Sequence, residues 1–271
     1  MSWSLVVYSL GTLIELNGFQ LTIFWAHNTD FHSWWRGNEI ENAVELLNSD
    51  KIDQVVCLTE WHKNQWQAKY GTTGIEVIGN GITPSSFIGR PEKIKNRFIF
   101  SSAPERGLID LLENWSKILQ IKPDATLEVF CPAYAIDDID NSSKVKGLLE
   151  QTGIILRGSV SQQDLHTAML KAEYWPYLTS YEETYCITAL EMQYAKVLPI
   201  VTTVAALNET VDSGIKLIQD ETNWDMAVQI LNTLGTELKA KTIDSAYQWS
   251  KMQTWSERSY DWNNLLNKIC K

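Results

Sequence analysis

Two glutamates separated by seven residues, Glu183 and Glu191, carry the most informative chemistry in this sequence. Apolar residues recur at helical spacing after Glu183, which predicts a helix beginning near Tyr185 with Thr184 as its N-cap. The unpaired N–H groups of that first turn suit a phosphate. Glu183, at the mouth, would accept hydrogen bonds from sugar hydroxyls, and Glu191, deeper, would hold the two hydroxyls of a ribose. The segment predicts a sugar-nucleotide site, with a solvated acidic loop before an ordinary helix as the alternative.

Two further turns follow predicted strands, at the edge where open α/β sheets bind ligands. The segment from Ser101 to Gly107 joins a strand to a helix and contains Arg106, whose guanidinium is suited to clamping a pyrophosphate. The alternative interpretation has Arg106 bonded to its own loop carbonyls or paired with Glu105. Gly158 also follows a strand, and a glycine there lets backbone approach a flat base, although strand-Gly-turn-helix is common in such folds.

Composition restricts the class of protein. With 44% hydrophobic residues, the 271-residue chain is predicted to be globular and to bury a large core in one large or two modest domains. A formal net charge of -10 argues against nucleic acid or an anionic membrane as partner. No stretch approaches about 18 unbroken apolar residues and no basic n-region opens the chain, which predicts no membrane span, no secretory signal and a cytoplasmic location. Neither a zinc site nor a disulfide framework is indicated by the four widely spaced cysteines, Cys57, Cys131, Cys186 and Cys270.

Short apolar strands alternate with amphipathic helices, which predicts parallel sheets covered by helices. Four strands are predicted first, at Leu5 to Tyr8, Leu21 to Trp25, Val55 to Leu58 and Ile75 to Ile78. Further strands are predicted at Phe98 to Phe100, Leu127 to Phe130, Ile154 to Leu156, Tyr174 to Leu178 and Leu198 to Val201. The turn-rich segment from Gly79 to Pro84 indicates a linker. We therefore predict an N-terminal domain over residues 1–90 and a C-terminal domain over residues 91–271, which includes one or two terminal helices.

Several short motifs occur in a fixed order along this pattern. They are Glu105-Arg106-Gly107, Pro123-Asp124-Ala125, Gly158-Ser159-Val160, Glu183 with Glu191, Pro199-Ile200-Val201, and the segment from Ala206 to Val211. Their order resembles the C-terminal half of the retaining glycosyltransferases of family 4, which have the two-domain GT-B fold of Rossmann-like domains. The resemblance covers residues 75–211 well. Trp25-Ala26-His27-Asn28 is similar to the family's histidine-containing turn in the first domain.

The resemblance implies roles for particular residues in binding a nucleotide-diphosphate sugar. Glu183 would contact the transferred sugar, Glu191 would hold the ribose, and Arg106, in place of the family's lysine, would neutralise the leaving diphosphate. His27 would lie near the donor sugar, with a buried strand-end histidine as the alternative. Further donor contacts would come from Ser102, Gly158, Val160, Cys186, Ile187 and Thr188. The implied reaction retains configuration and uses no metal and no cofactor, and its glycan, lipid or protein acceptor is unknown.

The sequence also departs from the family pattern. Ser101 occupies a position where the family often has an arginine, and Lys196 and Ala205 replace two usual glycines. The part before Asn80 is short and lacks the family's first strands and Gly-rich loop, which indicates a minimal domain or a fragment. An incomplete sheet exposes an edge and an apolar face, which self-association or a partner chain would cover. Tryptophans near the start could cover that face or stack on an acceptor sugar; they include Trp3, Trp34 and Trp35.

Two other functions remain open from the sequence. One is a degenerate binding or scaffolding protein that keeps a donor site without turnover, which the short N-terminal part favours. The other is a Rossmann-type dehydrogenase, which the absence of G-x-G-x-x-G argues against. The remaining histidines, His32, His62 and His166, show no ligand spacing and are predicted to be structural.

Overall fold

The protein is described by a computed structural model over residues 4–7, 21–29, 38–140, 142–220 and 223–270. It divides into two compact units, residues 1–81 with 255–271, and residues 82–254. The division falls at Gly81, inside the predicted linker and before the expected boundary at residue 90. Trp3, Trp34, Trp35 and His32 lie outside the described residues. Within the described ranges no helix is long and apolar enough to cross a membrane.

The first unit contains a parallel four-stranded sheet in the order β1-β2-β3-β4. Its strands are β1 Ser4–Val7, β2 Leu21–Trp25, β3 Gln54–Cys57 and β4 Glu76–Val77. Its helices are α1 Asn38–Leu47, α2 Glu60–Tyr70 and, from the end of the chain, α11 Trp255–Ile269. The predicted strands are confirmed to within one residue, apart from Tyr8, which is outside the described residues.

Helices cover both faces of this first sheet. Successive residues of a strand point to opposite faces, so Phe24 packs with Trp66 of α2 while Ile23 packs with Leu265 of α11. The predicted assignment of the chain's last helix to the second domain therefore differs from the structure, because α11 packs in the first unit, whereas α10 lies in the second. Its apolar stripe, with Trp262 and Leu265, needs a hydrophobic surface, and the second face of the short sheet provides one.

His62 is a structural residue of the first unit, as the sequence predicted. Its Nδ1 accepts a hydrogen bond from the Leu58 amide at 3.2 Å, so Nδ1 holds a lone pair, and Nε2 lies 2.8 Å from the Asn28 carbonyl oxygen, to which it donates. The ring is therefore held neutral. Burial, aided by His27 and opposed by the Asn28 hydrogen bond, lowers the pKa of His62 to about 4.

This geometry makes the first unit sensitive to acid. The unfolded chain binds a proton at His62 near the ordinary histidine pKa, whereas the folded chain does not until pH falls toward 4, so stability decreases as pH falls. Between about pH 7.5 and about pH 5, His62 alone should cost about 2 kcal/mol of unfolding free energy. Urea unfolding at several pH values should show a flatter pH dependence for His62→Gln than for the natural chain. Equal slopes for the two proteins would contradict the assignment.

The second unit contains a parallel six-stranded sheet in the order β10-β9-β8-β5-β6-β7. Its strands are β5 Arg97–Phe100, β6 Thr126–Val129, β7 Ile154–Leu156, β8 Tyr174–Tyr177, β9 Leu198–Thr202 and β10 Ile215–Leu217. Its helices are α3 Leu108–Ile121, α4 Ala133–Asp137, α5 Ser142–Leu149, α6 Gln162–Lys171, α7 Ile187–Tyr194, α8 Leu207–Thr210, α9 Asn223–Thr233 and α10 Thr236–Ser250. The predicted strands are confirmed to within one residue. The edge strand β10 was not predicted, because its three residues include Lys216 and so lack the unbroken apolar run that predicted the equally short β7.

The core of the second unit follows from the sequence pattern. The apolar stripe of α3 is fully buried against the sheet, with Leu108, Leu111, Leu112, Trp115 and Ile118 each at most 1% exposed. β8 and β9 are buried along their whole length. Such strands belong at the centre of a sheet covered on both faces, which is where the structure places them.

Lys196 and Ala205, which replace two usual glycines of the resembling family, both have a backbone conformation that favours glycine. Their φ angles are 59° and 51°, in the left-handed region that L side chains adopt at a cost. The turns before β9 and before α8 therefore keep the glycine conformation without the glycine.

Ala205→Gly is expected to stabilise the protein by roughly 0.5–1 kcal/mol, because the relieved strain exceeds the added entropy of the unfolded chain. The neighbouring Ala206 is the matched control. Its φ of -68° lies in the right-handed region and its methyl group is fully buried, so Ala206→Gly relieves no strain, removes a buried methyl and should destabilise instead. Urea unfolding of the two variants measures the difference. A loss of stability in both would show that the φ of Ala205 carries no strain.

Candidate functional site

In the second unit, the order in which the chain adds strands to the sheet reverses between β5 and β8. From β5 the chain adds β6 and β7 on one side, and it then returns to place β8 on the other. Ligands of open α/β sheets bind at the carboxyl ends of the strands at such a reversal. The two loops that leave this point carry Arg106, which follows β5, and Glu183, which follows β8.

Arg106 and Glu183 form an ion pair at this reversal. Arg106 Nη1 donates to Glu183 Oε1 at 3.1 Å, although the two residues are 77 positions apart. The Tyr177 hydroxyl donates to the same oxygen at 2.6 Å and lies 3.4 Å from Ser102 Oγ. The guanidinium lies 4.1 Å from the centroid of the Tyr181 ring, and its Nη2 is 3.4 Å from the Tyr181 hydroxyl.

The electrostatics of this cluster keep Arg106 charged and Tyr177 protonated. Burial opposes the charge of Arg106, but Glu183, followed by Tyr181 and Tyr177, outweighs burial and raises the pKa of Arg106. Burial, then Cys186 and Glu183, raises the pKa of Tyr177 far above its ordinary value. Tyr177 therefore remains a hydrogen-bond donor to Glu183, which is only 7% exposed.

Glu191 lies in a second cluster, on α7. Its Oε1 accepts hydrogen bonds from Gln162 Nε2 at 3.2 Å and from His166 Nε2 at 3.0 Å, both on α6. The His166 ring is buried and stacks on Phe87 with their centroids 4.1 Å apart. His166 Nδ1 lies 3.3 Å from the Ser86 carbonyl oxygen, so the ring is held in position at both nitrogens. The orientation of the Glu191 carboxylate is thus set by α6.

The two carboxylates are held in position in the same way. In each, Oε1 is held by two side-chain donors, Tyr177 and Arg106 for Glu183 and Gln162 and His166 for Glu191. No hydrogen bond to either Oε2 atom comes from the residues that the structure describes. A carboxylate that is anchored through one oxygen presents the other to a hydroxyl donor in a fixed position.

The loop before α7 corrects one prediction. The helix begins at Ile187, two residues later than predicted, and the residue that caps it is Cys186 rather than Thr184. Cys186 has φ 62°, which is not helical, so helical geometry starts only after it. The N–H groups of Ile187 and Thr188 open the helix as predicted, with Ile187 exposed at the surface.

The other predicted donor contacts lie on loops that follow strands of the same sheet. Ser102 follows β5 and reaches the Tyr177 hydroxyl. Gly158 follows β7 with φ 71°, which explains the glycine, and Val160 is exposed just before α6. This loop leads into the helix that anchors Glu191, so Gly158 and Val160 precede the Glu191 cluster along the chain.

His27 lies in the first unit, directly after β2 and its flanking Ala26. Its ring is 4.5 Å from the ring of Trp25 in an edge arrangement, and burial lowers the pKa of His27. The side chain is therefore neutral near pH 7 and able to accept a proton or a hydrogen bond. Its role beside a donor sugar remains a prediction.

Among the anchors of the two glutamates, sequence reasoning identified Arg106 as a site residue but not Tyr177, Gln162 or His166. Tyr177 sits within a buried strand and Gln162 on an ordinary helix, so neither shows a local signal. His166 was predicted to be structural, whereas the structure places its ring nitrogen on Glu191. The only available signal was its position on α6, four residues after Gln162, which puts both on one helix face. Among the described residues, no group of three or more His, Cys, Asp or Glu side chains could hold a metal ion.

Comparison with known proteins reveals similarity at the level of structure. No protein-family model and no curated protein sequence matches the chain. TarM of S. aureus superimposes with a TM-score of 0.75 at 13% identity, over 97% of this chain and 54% of TarM. Sucrose-phosphate synthase from Thermosynechococcus elongatus gives a TM-score of 0.77 at 13% identity, over 98% of this chain and 73% of that one. HepE from Anabaena, in complex with UDP and glucose, gives 0.72 at 13% identity, over 92% and 72%.

These similarities show the fold. The chain has the GT-B fold of two Rossmann-like units with parallel sheets, and its first unit is the abbreviated one, as the sequence predicted. The chain spans about half the length of the TarM structures that it matches, 54% and 51%.

Proposed function

We propose that this protein is a glycosyltransferase that moves a sugar from a UDP-sugar to an acceptor hydroxyl. The observation that carries the proposal is the pair of anchored carboxylates, Glu183 on the loop after β8 and Glu191 on α7. Each has one oxygen held by two side-chain donors. A sugar nucleotide has two sets of hydroxyls, on the sugar and on the ribose, and the site has one carboxylate for each.

Glu183 is the group assigned to the transferred sugar. It is buried at the carboxyl end of β8, where a hydroxyl of the sugar can donate to Oε2. Glu191 is assigned to the ribose, because it lies on the second turn of α7 beyond the phosphate-binding N-terminus. Diphosphate would then lie between the two carboxylates, over the N–H groups of Ile187 and Thr188.

Arg106 is assigned to the leaving group. When the bond between the sugar C1 and the diphosphate oxygen breaks, negative charge develops on the diphosphate, and a fixed cation and a helix N-terminus both stabilise it. One N–H of Arg106 is used by Glu183, and a guanidinium has further donors for the phosphate. We propose that the acceptor oxygen forms the new bond to C1 on the same face, with retention, while the departing diphosphate oxygen takes the proton of the acceptor hydroxyl. We propose that no metal or cofactor takes part.

The structural comparisons support UDP as the nucleotide. The matched HepE structures hold UDP with glucose and UDP-glucose, a pneumococcal O-GlcNAc transferase holds UDP and GlcNAc, and a TarM structure holds UDP. The sugar carried by this chain's donor is proposed to be a hexose, since these neighbours hold glucose or GlcNAc.

Thermal and chemical unfolding with nucleotides tests the proposal. UDP at about 100 times its dissociation constant should add about 2.7 kcal/mol to the unfolding free energy, whereas AMP at the same concentration should add little. Absence of any shift with UDP, GDP, ADP or their sugars would overturn the assignment of the donor site. Release of UDP from UDP-glucose or UDP-GlcNAc, followed by chromatography, then measures turnover.

The same measurements separate an enzyme from a binding protein. Donor binding with no turnover at any protein concentration would favour a donor-binding protein without transferase activity. Turnover that rises with assembly, followed by light scattering, would support the proposal that self-association or a partner chain completes the abbreviated first unit. An active monomer would refute that part of the proposal and leave the donor site intact.

A further inference from the structure

A polar cavity lies beside the site already described, in the second unit. Its volume is about 310 Å³, and its walls are the chain segments that follow β8 and β10, the end of β9, the first turns of α3 and the start of α9. It therefore opens at the same carboxyl edge of the sheet as Arg106 and Glu183, on the side toward β9 and β10. Neither carboxylate of the proposed donor site lines it.

The cavity is rich in hydrogen-bond acceptors. Asp110 and Asp220 contribute carboxylates, and Asn223 contributes an amide oxygen. Asn223 is 6% exposed, and its Oδ1 is buried with no hydrogen-bond partner. A buried unpaired acceptor costs free energy, so this position requires a donor from outside the described protein. Asn114 adds a further amide oxygen, because its Nδ2 is already bonded to the Asp110 carbonyl at 2.8 Å.

No lysine, arginine or histidine of the described residues lines the cavity. The lysine on the same face of α3, Lys117, is paired with Asp225 of α9 at 2.6 Å. Burial, together with Glu113 and against Lys144, raises the pKa of Asp110, and Asp220 places a second carboxylate on the cavity wall. A phosphate or carboxylate ligand would therefore be repelled.

The lining also argues against a metal ion and an apolar ligand. The described residues contain no group of three or more His, Cys, Asp or Glu side chains suited to a metal. Most of the wall consists of carboxylates, amides and the hydroxyls of Thr179, Ser180 and Thr202, which an apolar molecule would leave unpaired. The aromatic contribution comes from Trp224, which presents both an apolar ring and an N–H donor.

We propose that this cavity binds an uncharged sugar unit through its hydroxyls, as a second carbohydrate site apart from the donor site. A sugar supplies several hydroxyl donors to the unpaired Asn223 oxygen and to the carboxylates, and it has apolar C–H faces that can pack on an indole. This inference goes beyond the proposed function, since binding at the cavity does not require a nucleotide or turnover.

The cavity is connected to the donor site through one loop. The segment after β8 places Leu178, Thr179 and Ser180 on the cavity before it reaches Tyr181 and Glu183. The Tyr181 amide donates to Thr179 Oγ1 at 2.9 Å, and Thr202 Oγ1 donates to the Thr179 carbonyl, so this loop is held on both sides. A sugar in the cavity would thus lie next to the segment that orients Glu183.

Saturation-transfer NMR on the full chain tests the proposal, with methyl α-D-glucopyranoside and N-acetylglucosamine as probes in the presence of saturating UDP. We expect the probes to bind the natural protein and to lose about tenfold or more of their affinity in Asn223→Leu and in Asp110→Asn, with UDP affinity unchanged. Asn223→Leu should also fold at least as stably as the natural chain, because it removes an unpaired buried oxygen. Asp110→Asn keeps the side chain's shape, so it serves where Asn223→Leu does not fold.

Three results would overturn the proposal. One is the absence of binding by both probes at millimolar concentration, and another is binding that neither variant weakens. The third is binding that is lost in Glu191→Ala or displaced by UDP-glucose but unchanged in Asn223→Leu and Asp110→Asn, which would place the sugar in the donor site. Failure of the donor proposal is seen separately, as absence of UDP binding in the same natural protein.

Discussion

Replacing Glu183 with glutamine is expected to lower the rate of sugar transfer about 10²–10³-fold while changing UDP affinity only slightly. Glutamine keeps the shape of the side chain, and its oxygen can still accept from the Tyr177 hydroxyl. The negative charge that orients a sugar hydroxyl and pairs with Arg106 is lost. The measurements are initial rates of UDP release and UDP affinity by calorimetry on the same preparation.

The matched control for this variant lies at the other end of the same strand. Glu173 precedes β8, pairs with Lys239 and accepts a hydrogen bond from the Asn96 amide at 2.6 Å, so it too is a partly buried, paired carboxylate. Glu173→Gln should reduce stability by about 1–2 kcal/mol without a comparable loss of transfer rate. If both variants lose the same activity, the effect of Glu183 is one of folding and its assignment to the transferred sugar is wrong.

Glu191→Ala is expected to weaken UDP binding at least about 100-fold, because two hydrogen bonds between ribose hydroxyls and a carboxylate are each worth about 1.5–3 kcal/mol and each 1.4 kcal/mol is tenfold in affinity. The variant also removes the acceptor of His166 and Gln162, and their donors then face solvent or each other. Calorimetric titration with UDP measures the loss directly and needs no knowledge of the sugar or the acceptor.

This second experiment tests whether the two glutamates contact different parts of the donor. Glu182→Ala is the control, since Glu182 is an exposed carboxylate next to Glu183, and its loss should leave UDP affinity unchanged. Glu183→Gln should also bind UDP nearly normally. Equal losses of UDP affinity in Glu191→Ala and Glu183→Gln would show that the two carboxylates do not face different parts of one donor.

Three turns of the second unit have the left-handed backbone conformation typical of glycine at a residue that is not glycine. These residues are Lys196, Ala205 and Cys186. All three adopt left-handed φ angles of 59°, 51° and 62°. The sequence alone identified Lys196 and Ala205 as departures from a family pattern, and the structure shows that the backbone conformation remained. For Cys186 the same conformation determines where α7 begins, which local helix propensity could not predict.

The sequence by itself determined the order of every strand except β10, the loops that carry Arg106 and Glu183, and the helix that carries Glu191. These features depend on local quantities: the period of apolar residues, turn formers between elements, and short motifs at strand ends. They could therefore be predicted from neighbouring residues, and the predicted strands agree with those of the structure to within one residue.

Only the tertiary structure decided which side chains hold those glutamates and where the last helix packs. Arg106 meets Glu183 across 77 residues and His166 meets Glu191 across 25, so the pairings arise from the sheet order and not from local spacing. Likewise, α11 carries an apolar stripe that could pack on any hydrophobic surface. The sheet face that it covers is built from strands near the opposite end of the sequence. Contacts between distant segments depend on how sheets close and pack, and a single sequence does not encode them as a local pattern.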